Sequence, residues 1–479
     1  VKATAIRTNK LMDSIEVAIE RSGLTDGMTI SFHHHFRNGD AIINQVMAVI
    51  SQKGIKGLTI AASSLSDIHA PLIEYIDRGI VKRIETSGLR GELANSISNG
   101  LMEEPIVFRS HGNRAEAIAS REIVIDVAFL GVPACDDMGN ANGFNRDGDN
   151  SAACGSLGYA MVDAQYANYV VLLTQHIVTY PNTPCAIKQN QVDGIVKLDY
   201  IGDPKGISSG ATRYSTNPKD IKIAKLACDV MLNAGLFEDG FSFQTGTGGA
   251  SLAVTRFLKE HMDSKNIRAS FALGGITSQI VKLHEAGYVK KLLDVQSFDL
   301  DAVKSIQENP YHQVVDAQYY ATPAAMGGAV NRLDMVVLSA LEVDVNFNVN
   351  VLTGSDGIIR GAVGGHPDTS ASAQLSIIVV PLVRGRMPSI LARVNTIVTS
   401  GDTVDVVVTD QGIAVNPQRP DLIARLANAG LPLCSIEELK ERAESITGTP
   451  VAIQYTNRVV GVVKHRTGYT LDHIYQVKR

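Results

Sequence analysis

The sequence predicts an α/β protein built from two related halves with mainly parallel sheets. Three observations predict it. Short apolar strands alternate with amphipathic helices along most of the chain, as in a parallel sheet covered by helices. The second half repeats the element order of the first. The stretch Phe241–Leu258, FSFQTGTGGASLAVTRFL, reads as strand, glycine turn and helix, a unit common in such sheets.

Taken in order, the first half opens with an amphipathic helix around Leu11–Arg21, which lacks the layout of a signal peptide. The chain starts at Val1, so a short native start is expected to be missing. Asp26-Gly27 turns the chain into the strand MTISFHHHF, and Arg37-Asn38-Gly39-Asp40 leads into the helix AIINQVMAVIS. The strand GLTIAAS, the helix HAPLIEYIDRG and the strand IVKRIET follow. A helix over Arg114–Ser120 then precedes the strand EIVIDVAFLG.

The second half begins with a helix over Ile221–Ala234, followed by Asp239-Gly240, the strand FSFQ and the glycine turn. The strand IRASFALGG, the helix SQIVKLHEAG and the strand YVKKLLD complete the match. IEYIDRGIVKRI (73–84) pairs with VKLHEAGYVKKL (281–292), so Gly79 falls opposite Gly287, an offset of 208 (287 minus 79). The same offset places Asp136, Asn140 and Asn142 opposite Asp344, Asn348 and Asn350. Two distant segments sharing one offset indicate a duplication. The join is expected in the Gly-, Ser- and Pro-rich stretch 202–220, giving one half over 1–212 and another over 213–479. Beyond Asp410 come a turn and the helix DLIARLANAG. A second helix, SIEELKERAESITG, has a capping box of Ser435 with Glu438. The tail 451–479 is expected to form a small β appendage.

Bulk properties exclude several function classes. The 479 residues exceed one ordinary core. A net charge of −5, no Trp and 5% aromatic residues disfavour nucleic-acid binding. The five cysteines are scattered and form no CxxC, which fits a reduced, cytoplasmic setting rather than a disulfide frame. No apolar run reaches the length of a membrane span.

Four stretches are candidates for chemistry. In the glycine turn, backbone N–H groups at a helix start suit a phosphate, a carboxylate or an oxyanion. A tight packing turn reads equally well. In SFHHHFRNGD (31–40), a regular strand would send His33 and His35 one way and His34 the other. The three rings then cannot share a metal, and none is expected; His residues lining a cleft beside Arg37, Asn38 and Gly39 are the functional reading, and satisfied buried His the plain one. In SALEVDVNFNVNVLTG (339–354), Glu342, Asp344, Asn346, Asn348 and Asn350 alternate with apolar residues. This is one strand with a polar face, open to either a solvent-facing or a cleft reading. In RGAVGGHPDTSAS (360–372), a glycine loop would let a long cofactor arm lie against backbone, or is a plain surface loop. A complete dinucleotide fingerprint, a Walker loop and a GxSxG elbow are all lacking, so an NAD-dependent oxidoreductase is disfavoured. Cys154 has no evident His partner and reads as a buried structural residue.

Through SFHHHFRNGD, FSFQTGTGGASLAVTRFL, ALEVDVN and AVGGHPD, the chain resembles the citrate lyase alpha-chain family, the citrate CoA-transferase subunits. EVDVNFNVN, GAVGGHPD and VVVTDQGIA (406–414) also resemble the wider CoA-transferase and acetyl-CoA hydrolase superfamily. The resemblance implies two CoA-transferase-like α/β domains with the active site between them. The implied activity replaces acetyl by citryl on an acyl-carrier-protein or CoA thioester and releases acetate. Its implied partners are a lyase beta subunit and a gamma acyl carrier protein in a hetero-oligomer, with no covalently bound cofactor. Many superfamily relatives use a glutamate nucleophile; its position here falls near Gly274-Gly275, with no carboxylate. Leu338 also stands where relatives often carry Asn. The missing carboxylate near Gly274-Gly275 fits direct attack by the acid on the thioester. The site expected on that basis places Thr247, Gly248 and Gly249 at the oxyanion, and Glu342 as an orienting residue with a covalent role left open. It places His33, His35, Arg37, Asn38, Gly39, Arg213 and Asn348 on the substrate. Gly361, Gly364, Gly365 and His366 lie along the CoA or phosphopantetheine arm. A binding or scaffold subunit without turnover, or a CoA-transferase for another carboxylic acid, are the competing readings.

Overall fold

In a computed structural model, the described residues are 9–146, 148–208, 215–246, 248–324 and 326–478. Two sheets carry the same run of seven parallel strands. In the first the order is Gly194–Lys197, Tyr169–Val178, Val127–Asp136, Thr29–Phe32, Leu58–Ala62, Val81–Thr86, Ile106–Phe108. In the second it is Val406–Thr409, Leu375–Val379, Met335–Ser339, Ser242–Thr245, Ala269–Ile276, Val289–Ser297, His312–Val314. Strand by strand the two orders correspond. The boundary expected between residues 212 and 213 falls in 209–214, outside the described residues.

The second sheet shows why its strands are apolar on both sides. Val336, Leu338, Ile378 and Val407 point into a core shared with the first sheet. Their neighbours Met335, Val337, Ile377, Val379, Val406 and Val408 point the other way, onto the helices Pro218–Asn233 and Gly249–Lys265. A period of two on a strand covered on both faces gives this continuous apolar run.

The 208-residue offset has a structural counterpart. Asp136 takes the N–H groups of Met138, Gly139 and Asn140 on one oxygen at 2.9–3.0 Å, and Asn140 Nδ2 donates to the other at 2.8 Å. Asp344 takes those of Asn346 and Asn348 at 2.9 and 3.0 Å, with Asn348 Nδ2 at 3.2 Å. The left-handed residue is Gly139 in one turn (φ 98°) and Phe347 in the other (φ 65°).

Three local expectations are corrected. The strand MTISFHHHF ends at Phe32, because the His34 N–H is taken by Ser63 Oγ at 3.0 Å instead of a neighbouring strand. The single alternating strand expected over 339–354 is a hairpin: Glu342–Asp344 turns at Asp344 and returns as Val349–Asn350. The run RGAVGGHPDTSAS, read as a loop, closes into a short helix, His366–Ser372. The tail forms the expected hairpin, Tyr455–Lys464 with Thr470–Val477. It extends the first sheet by parallel pairing of Gly461–Val463 with Ile106–Phe108. Ser435 and Glu438 form the expected capping box at 3.1 and 3.0 Å. Among the described residues, no helix is long and apolar enough to cross a membrane.

Candidate active site

A cleft of about 800 Å³ opens between the two sheets at the carboxyl ends of their strands. Loops at that edge are where parallel α/β sheets place ligands, because backbone groups there are released from the ladder. Four such loops meet: 34–38 after Thr29–Phe32, 63–67 after Leu58–Ala62, 87–90 after Val81–Thr86, and the turn after Ser242–Thr245. The glycine loop 361–365 closes one wall.

That loop belongs to the second half in sequence but is bonded to the first. Leu89 N–H donates to the Gly361 carbonyl at 3.0 Å, Val363 N–H to the Ser87 carbonyl at 2.7 Å, and His111 N–H to the Gly364 carbonyl at 3.0 Å. A Cβ on Gly361 would lie 2.0 Å from the Val351 carbonyl oxygen, and one on Gly365 would lie 2.5 Å from the Tyr320 hydroxyl. Gly361 and Gly365 are therefore required by close packing, and Gly364 by its left-handed backbone (φ 58°). His366 follows, its Nδ1 2.7 Å from Thr399 Oγ1 and its imidazole pushed down to about 4 by burial.

At the first-half loop, Arg37 adopts a left-handed backbone (φ 53°), an uncommon state for a bulky residue. Its guanidinium lies 5.1 Å from the Phe298 ring centre and donates to the Ile207 carbonyl at 3.3 Å. Burial, then the nearby Arg90, lower its pKa to about 10. Asn38 also lines the cleft, its side-chain oxygen accepting the Ile68 N–H at 3.0 Å. Gly39 does not: a Cβ there would lie 2.0 Å from the Asp203 carbonyl oxygen, so it is packed against the chain behind.

The histidines lie beyond the end of the strand, and the expectation that His33 and His35 meet the substrate is corrected. His34 lines the cleft, while the His33 and His35 rings pack behind it, 4.0 Å apart and tilted by 49°, and are 6% and 0% exposed. His34 Nδ1 lies 2.5 Å from Ser63 Oγ, and its ring packs 5.0 Å from Tyr159, which stands 4.5 Å from His111. Burial holds His34 well below its ordinary value. Among the described residues, no group of three or more His, Cys, Asp or Glu side chains is arranged to hold a metal ion.

In the glycine turn, Gly246 and Gly248 face the cleft. Gly249 starts the helix and meets Ser215 and Asp220 instead. Thr247 and Arg213 lie outside the described residues. Gly275 lines the cleft, and its missing side chain is explained. A Cβ there would lie 1.6 Å from the Phe298 ring, and one on Gly274 would lie 2.6 Å from the Gln244 amide oxygen.

Glu342 and Asn348 are elsewhere. Glu342 is 2% exposed, accepts from Asn350 Nδ2 at 2.9 Å and Asn395 Nδ2 at 3.0 Å, and borders a separate cavity of about 500 Å³. Asn348 closes the Asp344 turn and accepts the Gly401 N–H at 3.0 Å. Cys154 is 1% exposed and its thiol is pushed up by burial.

Sequence reasoning missed Arg90, His111, Tyr159 and the inward role of His34. The available clue was position: SSL (63–65) and SGLR (87–90) directly follow strands that had been recognised.

The family model for citrate lyase, alpha subunit, matches residues 8–477. The citrate lyase alpha chain of Haemophilus influenzae is 58% identical over 472 residues, 98% of this chain and 94% of that protein. A crystal structure of a citrate lyase alpha subunit from Streptococcus mutans, in complex with citrate, has a TM-score of 0.96 and 52% identity, covering 100% of this chain and 93% of that one. A 4-hydroxybutyrate CoA-transferase from Porphyromonas gingivalis shares the fold at a TM-score of 0.57 and 16% identity, over 91% of this chain and 97% of its own.

Proposed function

The chain belongs to the citrate lyase alpha-subunit family, the CoA-transferase component of citrate lyase, and from that premise we propose that its inter-sheet cleft exchanges acetyl for citryl by direct attack of citrate on the thioester. One observation carries the mechanism. The backbone of Gly274 and Gly275, where superfamily relatives place a nucleophilic glutamate, has its side-chain space filled by Gln244 and Phe298. No side-chain carboxylate fits there. Glu342 does not replace it, since both its oxygens accept from asparagine amides away from the cleft.

The chemistry then needs positioning and charge stabilisation rather than a protein nucleophile. A citrate carboxylate oxygen attacks the acetyl carbonyl carbon, and the carbon–sulfur bond breaks. A mixed citryl–acetyl anhydride and a thiolate result. The thiolate attacks the citryl carbonyl, the anhydride bond breaks, and acetate leaves with an oxygen that came from citrate. Arg37 meets citrate at the first-half loop. The thioester oxygen sits at the turn bearing Gly246 and Gly248, near the positive end of the helix Gly249–Lys265. The pantetheine arm runs along Gly361, Gly364 and Gly365. Its natural carrier is the acyl carrier protein of the complex, and the citryl thioester passes to the lyase subunit.

Two measurements test this. Initial rates with acetyl-CoA and citrate are expected to give intersecting lines. In a single turnover, carboxyl-labelled 18O-citrate is expected to deliver one label to acetate. Parallel lines, with unlabelled acetate in the first turnover, would establish a covalent enzyme intermediate instead.

A further inference from the structure

Among the described residues three arginines reach the cleft, and they are not alike. Arg360 is exposed and ion-paired with Asp356. Arg37 is half-buried beneath Phe298 and has one carbonyl partner, that of Ile207. Arg90 sits at the end of the loop after Val81–Thr86, and its guanidinium makes no hydrogen bond or ion pair among the described residues. The opposing carboxylate of Asp67 acts on it electrostatically without closing a bond. Gly91, with φ 72°, lets Asp67 pack against the following turn; a Cβ there would lie 2.1 Å from the Asp67 carboxylate. Arg90 and Arg37 repel each other across the cleft wall. Two half-buried cations held in mutual repulsion are costly unless an anion with more than one charge comes between them.

His34 adds an uncharged donor. Ser63 Oγ already accepts the His34 backbone N–H at 3.0 Å, and it lies 2.5 Å from Nδ1. We assign the Ser63 hydroxyl proton to Nδ1, which puts the ring proton on Nε2. Burial first, then the neighbouring His111 ring and the charges of Arg37 and Arg90, disfavour protonation of this ring. The Nε2–H has no acceptor among the described residues, on a ring that lines the cleft.

Resting on the citrate reading above, we propose that Arg90 is the residue that selects a polycarboxylate. Arg37 and Arg90 each hold a carboxylate that does not react, and His34 Nε2–H orients the one that does. The division has a chemical reason. An ion pair with the attacking carboxylate would lower its nucleophilicity, whereas a neutral N–H aligns it at less cost to reactivity.

The test compares acceptors in the thioester exchange: citrate, the dicarboxylate glutarate and the monocarboxylate propionate. For Arg90→Ala, the ratio of kcat/KM for citrate to that for propionate is expected to fall at least about 30-fold, mainly through the citrate KM. Arg90→Lys restores the charge without the planar fork and is expected to recover part of the loss. Citrate is also expected to raise the Tm of the native chain but not that of Arg90→Ala. His34→Gln is expected to lower kcat for all three acids. Equal losses on citrate and propionate, or a citrate-induced Tm shift that survives in Arg90→Ala, would overturn the assignment. Failure of the unaltered chain to exchange citrate at all would instead count against the functional reading beneath it.

Discussion

Gly275 has no side chain because Phe298 already fills the space, and Phe298 in turn lies against Arg37. Its backbone is not left-handed, so the constraint on this residue is steric alone. Gly275→Ala puts a methyl within 1.6 Å of an aromatic carbon, and the ring must move. Displacing a packed ring of that size costs roughly 1–3 kcal/mol. Because the ring supports the Arg37 guanidinium, the same change is expected to raise the citrate KM several-fold. Urea unfolding reads the first effect and initial rates the second. An alanine variant of unchanged stability and KM would show that the ring yields freely and that the glycine is incidental. Phe347 illustrates a different residue-scale constraint. It holds a left-handed backbone at the position where the first half has Gly139, yet it is 3% exposed and packed in the core. Packing there outweighs a backbone preference that would favour glycine.

At the scale of elements, the tail hairpin ties the two halves together. It completes the first sheet beside Ile106–Phe108, and Arg466 at its tip reaches back to the second half. Arg466 Nε stands 3.7 Å from Asp368, and its Nη2 donates to Ser372 Oγ at 3.3 Å. Asp368 accepts from Ser110 Oγ at 2.8 Å and the Gly112 N–H at 2.9 Å, at the start of the helix His111–Ala119. Burial raises this carboxyl to about 6. Arg466→Ala is expected to cost about 1–3 kcal/mol at pH 7.5, where Asp368 is ionised and loses a compensating charge. The deficit should shrink at pH 5, where the carboxyl is protonated. Paired urea titrations at the two pH values check this; a deficit independent of pH would mean that Arg466 contributes packing only. The hairpin also shows what a sequence does and does not disclose. Its two strands and their turn are local and were legible, as were the strand–helix alternation and the 208-residue offset. Its pairing with a strand some 350 positions earlier has no local cause, so nothing in 451–479 indicates it. The same holds at the cleft. Arg37, Asn38 and the glycine loop stood out because glycine and charge are conspicuous near strand ends. Arg90 is an ordinary-looking cation in SGLRGE and gains meaning only once Ser87 pairs with the 361–364 loop. For the run after Leu341, alternation held, but it described two short strands. The hydrogen bonds of Asp344 reverse the chain midway, and periodicity cannot see them.

Across the whole molecule, the seam between the sheets is where buried histidines collect. His33 and His366 are pushed down to about 4, His111 to about 3, and His34 and His35 well below their ordinary value, in each case first by burial. His111 reaches the edge of the cleft, yet its surroundings still hold it neutral. The linkage has a definite sign. Near and below pH 6.5 the unfolded chain takes up these protons and the folded chain does not, so stability rises with pH across that range. The stability they contribute is complete above about pH 6.5 and is lost as the pH falls toward 4. Each histidine adds a slope of up to about 1.4 kcal/mol per pH unit in that window. Asp294, Glu342, Asp368 and Asp405 work in the opposite direction, because burial raises their carboxyls and the folded state keeps protons that the unfolded state releases. The total slope therefore mixes both groups, and a single substitution isolates one member. His366→Asn keeps a side chain able to bond Thr399 and removes one titrating ring. Between pH 6 and 4.5 its unfolding free energy is expected to fall less steeply than that of the unaltered chain, by up to about 1.4 kcal/mol per pH unit. Matching slopes in urea titrations across that interval would show that His366 titrates normally in the folded protein. The seam would then be more open to water than its packing indicates.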